Sequence, residues 1–177
     1  MMDFNQLILS RRSVRKYTDE PVSKAALHSV LEAGLLAPSG KNTHSTEFLT
    51  VTDRETLEKL SRSRSMGAAF LKNAPAAVIV LGDHDKTDTW VEDGSLAVSY
   101  MQLAAVELGL GSCWIQVRNR MADAEKTTED YIKELLDLPA RFSVLSVLAL
   151  GTPAVAAKAH RAEDADFGRV HEGYVEA

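Results

Sequence analysis

Apolar residues recur along this chain with two periods. From Leu27, the positions Val30, Leu31 and Leu35 follow the i, i+3, i+4, i+8 stripe of an amphipathic helix, with Ser23 placed to cap its start and Ala37-Pro38 to end it. Phe4, Leu7 and Ile8 predict a shorter helix reaching about Ser10, capped by Asp3. Thr52-Asp53-Arg54-Glu55 reads as a capping box for a helix carrying Leu57 and Leu60. A further helix bears Tyr131, Ile132, Leu135 and Leu136, capped by Asp123 or Thr128 and stopped at Leu138-Pro139. The stretch from about Trp90 to Leu108 stands apart. Between Leu96 and Leu108 only Ser99, Gln102 and Glu107 are clearly polar, so this helix is apolar nearly all round and must be buried on most sides. In a chain of this size that is easier if a second subunit covers one side.

The other period belongs to strands. Glu47–Val51, Ala76–Leu81, Ser112–Val117 and Phe142–Leu150 are short apolar runs bounded by turn residues, and Ala76–Leu81 is continuous enough to be buried on both faces. Four strands interleaved with helices predict an α+β fold, a sheet with helices packed around it. Pro38 to Ser45 is turn chemistry throughout. Gly82 to Thr89 holds three aspartates but lacks the spacing and terminal glutamate of a calcium loop, so it reads as a solvated turn.

The totals narrow the function. A chain of 177 residues fits one domain, 1–177, with its own core. Its net charge of −5 argues against a nucleic-acid binder, which presents a basic face. The lone Cys113 cannot make an internal disulfide, and no Cys/His cluster offers a metal site. With no membrane-length apolar run and no leader-like start, a cytoplasmic protein without membrane or nucleic-acid partners is expected.

Against that acidic background, Arg11-Arg12-Ser13-Val14-Arg15-Lys16 packs four cations and a hydroxyl into six positions. It reads either as a solvated basic patch or as a cradle for a compact anion such as phosphate. Elsewhere familiar machinery is absent. There is no GxSxG elbow and no GxxxxGK[ST] loop, and Gly109-Leu110-Gly111 follows a helix where a dinucleotide turn needs a strand. Cys113, between Ser112 and Trp114 in a strand-like run, reads as structural. An anion cradle without a nucleophile or a metal cage favours chemistry carried by a bound phosphorylated cofactor.

Four stretches in this order resemble the motifs of the nitroreductase family of flavin enzymes: Arg11-Arg12-Ser13-Val14-Arg15, Ala37-Pro38-Ser39-Gly40-Lys41-Asn42, Gly109 to Ile115, and Leu150-Gly151-Thr152-Pro153 with Lys158 and Arg161 beyond. The resemblance spans nearly the whole chain. It implies a mainly antiparallel central sheet flanked by helices, and an intertwined homodimer whose C-terminal extension from about residue 153 wraps the partner. Two FMN sites at the interface, each built from both chains, would be reduced by NADH or NADPH.

By the same resemblance, Arg11, Arg12, Ser13 and Arg15 hold the flavin phosphate, and Lys158 and Arg161 close on it. Pro38, Ser39, Gly40 and Asn42 of the other subunit line the ring and ribityl chain. Trp114, Ile115, Gln116 and Val117 pass the flavin, with the Gln116 backbone N–H as donor to N5. The family pattern Gln-Pro-Trp is replaced here by His44-Ser45-Thr46, which makes His44 a candidate substrate contact beside its reading as an ordinary loop histidine. The implied activity is hydride transfer to an electron-poor acceptor such as a nitroaromatic or quinone in a ping-pong cycle. A flavin-binding carrier or sensor without turnover is the alternative.

Overall fold

Every long helix but one opens on a side-chain cap. In the computed structural model, which describes residues 2–173, α1 (Phe4–Ser10) begins with Asp3 accepting the Gln6 amide while the Gln6 side chain accepts the Asp3 amide. Ser23 accepts the Ala26 amide to start α2 (Lys24–Leu35), and Asp53 accepts the Thr56 amide to start α3 (Arg54–Leu60). The exception is α4 (Trp90–Glu107), whose preceding Thr89 makes no capping bond. α5 (Thr128–Leu136) is capped by Thr127, not by Asp123 or Thr128 as the sequence suggests. Asp123 is engaged in its own turn, accepting the amides of Glu125 and Lys126, and Thr128 is buried.

The strands β1 (Thr46–Val51), β2 (Ala76–Asp83), β3 (Gly111–Gln116) and β4 (Phe142–Gly151) form one sheet in the order β1-β2-β4-β3. All neighbours are antiparallel. β2 is buried along its whole length and β4 along nearly all of it, as their unbroken apolar runs require of central strands. On one face of the sheet Leu57, Leu60 and Ile132 from α3 and α5 pack over Ile79 and Val147. On the other, Val30, Val98 and Met101 from α2 and α4 pack over Val78 and Leu148.

Gly34 brings α2 against α4 and β1, since a Cβ there would lie 2.8 Å from Met101 and 3.0 Å from Phe48. α4 covers the sheet with Ala97, Val98, Met101 and Ala105, yet Leu96 and Tyr100 are each 44% exposed. The chain therefore buries only one side of the helix whose composition predicts burial nearly all round. Among the described residues no helix is long and apolar enough to cross a membrane.

Candidate functional site

The basic segment is laid along the outer edge of β3. The Val14 amide donates to the Ser112 carbonyl at 2.9 Å, and Gly111 leaves room for Val14, whose side chain would lie 2.8 Å from a Cβ at that position. The buried Tyr17 hydroxyl donates to the Val14 carbonyl at 2.5 Å. Beyond it, the Thr18 amide donates to Thr152 and the Ala154 amide to Lys16, tying the segment to the exit of β4. Burial pushes the Tyr17 hydroxyl far above the ordinary tyrosine range and raises the Cys113 thiol beneath the segment, with Arg15 and Arg11 partly opposing the thiol shift. Among the described residues, none of Arg11, Arg12, Arg15 and Lys16 has a carboxylate partner.

Of these cations Arg11 borders an open cleft of about 660 Å³, lined also by Ser13, Ser99, Gln102, Trp114 and His160, while Arg12 lines a separate pocket with Val14 and Pro153. That volume lies within the roughly 300–1,000 Å³ usual for small-molecule sites. The antiparallel ladder fixes which β3 amides point off the sheet. The Val117 amide donates to Leu145 at 3.2 Å, and the register pairs Ile115 with Val147, so the alternate amides of Trp114 and Gln116 point away from β4, off the open edge. Ile115 and Val117 turn their side chains into the core, whereas the half-buried Trp114 lines the cleft.

The tail folds back over the same end of the molecule. Arg12 donates to the Lys158 carbonyl at 2.6 Å and the His160 amide to Leu9 at 2.8 Å. It is His160 that enters the cleft wall, a placement the sequence reading did not anticipate. Arg161 is turned to Glu163 and Asp164 at 3.4 and 3.3 Å.

Pro38, Ser39, Gly40, Asn42 and His44 sit at the opposite end of α4. Lys41, Asn42 and His44 take left-handed φ values of 51°, 56° and 48°, conformations that cost on the order of 1–3 kcal/mol for a non-glycine residue and persist only when surroundings impose them. The surroundings here are Asp93, Ser39 and Thr89. Asp93 accepts the Gly40 amide at 2.8 Å and the Ser45 hydroxyl at 2.9 Å, and Ser39 Oγ accepts the His44 amide at 3.1 Å. A Cβ on Gly40 would collide with Thr89 Oγ1. Asp93 escaped the sequence reading, although a signal was there: it shares the buried stripe of Ala97, Met101 and Ala105, where a carboxylate must find donors. Six to ten residues of helix separate Asp93 from Ser99 and Leu103 in the cleft wall, about 9–15 Å. One chain thus keeps the loop and the basic segment at different ends of α4.

The donor set suits a phosphorylated planar ligand: guanidinium groups without carboxylate partners among the described residues and a hydroxyl for the phosphate, and outward amides on a rigid strand for polar ring atoms. Comparison with known proteins agrees with that chemistry. A sequence model of the nitroreductase family matches residues 8–69 and 61–152. A solved FMN-dependent nitroreductase from Clostridium difficile R20291 superposes with a TM-score of 0.93 at 46% identity, covering 96% of this chain and 98% of that one. A protein of Archaeoglobus fulgidus with the provisional name NADH dehydrogenase/NAD(P)H nitroreductase is 36% identical over 163 residues, 90% of each chain. A provisionally named nitroreductase from Desulfovibrio desulfuricans, solved in complex with FMN, gives a TM-score of 0.74 at 29% identity, covering 91% of this chain and 92% of that one.

Proposed function

The chain belongs to the nitroreductase family, and on that premise we propose that it is an FMN-dependent oxidoreductase that takes hydride from NADH or NADPH and passes it to an electron-poor acceptor such as a nitroaromatic or quinone. When bound, FMN supplies the hydride-accepting and hydride-donating N5 atom. Arg11 and Ser13, with Arg12 and Arg15 beside them, hold the phosphate, and the outward Gln116 amide offers a hydrogen bond to the ring. Lys158 and Arg161 are further phosphate contacts in this reading, for which Arg161 must exchange Asp164 and Glu163 for the ligand. His44, exposed on its loop, is the candidate substrate contact.

The observation that carries the reading is one cleft lined by Arg11, without a carboxylate partner among the described residues, by Ser13 and by Trp114, on an edge strand whose alternate amides point off the sheet. The separation of the Pro38–Asn42 loop from that cleft supports a homodimer in which the loop of one chain completes the cleft of the other. The exposed Leu96 and Tyr100 give α4 an apolar face for that partner, and the segment from about residue 153 is proposed to extend the same contact. Donor and acceptor would then occupy one open face in turn, as a ping-pong cycle requires.

The test is the visible spectrum of the purified protein, followed by anaerobic NADH or NADPH and then a nitroaromatic or a quinone. Bound yellow FMN, bleached by the nicotinamide and restored by the acceptor, is expected. A colourless protein that takes up no added FMN overturns the reading, and FMN that neither nicotinamide bleaches leaves a binding protein without turnover.

A further inference from the structure

The geometry points to Asp93 as the positioning residue that locks the Ser39–Ser45 loop into its binding shape, an inference that rests on the flavin reading above. Asp93 is only 3% exposed on an otherwise apolar stripe, and both carboxylate oxygens are used: one accepts the Gly40 amide, the other the Ser45 hydroxyl. These two partners bracket Lys41, Asn42 and His44, the three left-handed residues of the loop. Released from the clamp, residues in that conformation relax toward negative φ, and the loop loses its shape.

Asp93 has no cation partner among the described residues, so its role there is to fix geometry and not to balance a charge. Its place in the first turn of α4 suits a negative group, because the free amides at that end carry partial positive charge. Thr89 closes the other side of the seat, packed where a Cβ of Gly40 would go. Asp93 thereby ties the loop proposed to line the flavin to the same helix whose later turns border the cleft, so that one rigid element sets both.

The experiment compares Asp93→Ala, Asp93→Asn and Ser45→Ala with the full-length parent protein, measuring FMN affinity by flavin fluorescence and amide exchange at Gly40 in FMN-free protein. Asp93→Ala is expected to weaken FMN binding at least tenfold and to speed Gly40 exchange at least tenfold. Asp93→Asn, which can still accept the Gly40 amide and donate to the Ser45 hydroxyl, is expected to stay within threefold of the parent in both. Unchanged FMN affinity in Asp93→Ala overturns the inference, as does an Asp93→Asn variant as impaired as Asp93→Ala. If Asp93→Ala does not fold, Ser45→Ala decides: threefold or greater weakening of FMN binding supports the clamp, and a smaller change overturns it. Should the parent protein fail to bind FMN, the flavin reading falls by itself, and Gly40 exchange alone judges the clamp.

Discussion

The Trp114 indole N–H donates to the side-chain oxygen of Gln116, two residues along the same edge strand, at 2.9 Å. The Gln116 side-chain amide in turn donates to the Arg118 carbonyl at 2.9 Å. The side chain is thus committed to bracing the strand, while the main-chain N–H of the same residue points off the sheet edge. Backbone and side chain at one position have separate tasks, and substitutions can separate them.

Gln116→Ala removes the brace and keeps the amide; Gln116→Pro removes both, at an edge position where the ladder does not use the N–H. Gln116→Ala is expected to lower stability by about 1–2 kcal/mol through the unpaired indole while leaving NADH oxidation within a few-fold of the parent. Gln116→Pro should lose about a further hundredfold in kcat, the size of effect seen when one preorganised donor is deleted. Equal kcat in the two folded variants, measured with saturating FMN, would remove the backbone amide from the mechanism.

Arg11 lines the cleft and, among the described residues, has no carboxylate partner. A charge-assisted hydrogen bond to a phosphate contributes about 1.5–3 kcal/mol, so Arg11→Ala is expected to weaken FMN binding roughly 10- to 150-fold. Arg54→Ala, which breaks an exposed pair with Asp19 away from the cleft, should leave the affinity unchanged. Titration of the FMN-free protein by flavin fluorescence distinguishes them, and equal affinities for the two variants would move the phosphate elsewhere.

Gly111→Ala tests how the basic segment is seated. The added methyl would lie 2.8 Å from the Val14 Cβ and both of its methyl groups, and a β-branched side chain tethered by its own amide has little room to withdraw. Overpacking of this kind costs about 1–3 kcal/mol. The urea midpoint should fall accordingly, and FMN affinity should fall with it because Ser13 and its neighbours move. A fall in stability with unchanged affinity would show that Val14 yields without disturbing the cations.

The elements were legible where one local signal decides them. The helical stripe of Leu27, Val30 and Leu31, the caps Asp3 and Ser23, and the unbroken apolar runs of β2 and β4 all carry their outcome in a few adjacent residues. The basic segment was legible because its cations contrast with an acidic chain. What stayed hidden depends on distant pairing. Nothing near Asp93 in sequence announces Gly40 or Ser45, 53 and 48 residues away. The same holds for His160, which reaches the cleft only because its amide finds Leu9. Ile115 and Val117 stood in the family's flavin strand, but side-chain alternation turns them into the core, and that follows from register.

Alkaline pH offers a test of the anchor under the basic segment. Burial raises the Tyr17 hydroxyl far above its ordinary value of about 10, and raises the Cys113 thiol above its ordinary value of about 8.5. Below those ordinary values both folded and unfolded chains hold the proton, and neither group gives stability a slope. As pH rises past them the unfolded chain releases its protons while the folded chain keeps them, so stability must fall with pH, by up to about 1.4 kcal/mol per pH unit for each group. Denaturant midpoints are therefore expected to decline from about pH 8.5 and more steeply above about pH 10. Tyr17→Phe loses the bond to the Val14 carbonyl and should be less stable at pH 7 by about 1 kcal/mol. Without an ionisable hydroxyl, however, its curve should flatten relative to the parent above pH 10, and the two should converge. Cys113→Ala should likewise remove the earlier part of the decline. Curves for the parent and Tyr17→Phe that stay parallel from pH 9 to pH 11 would mean that the Tyr17 hydroxyl ionises as freely in the folded protein as in the unfolded chain.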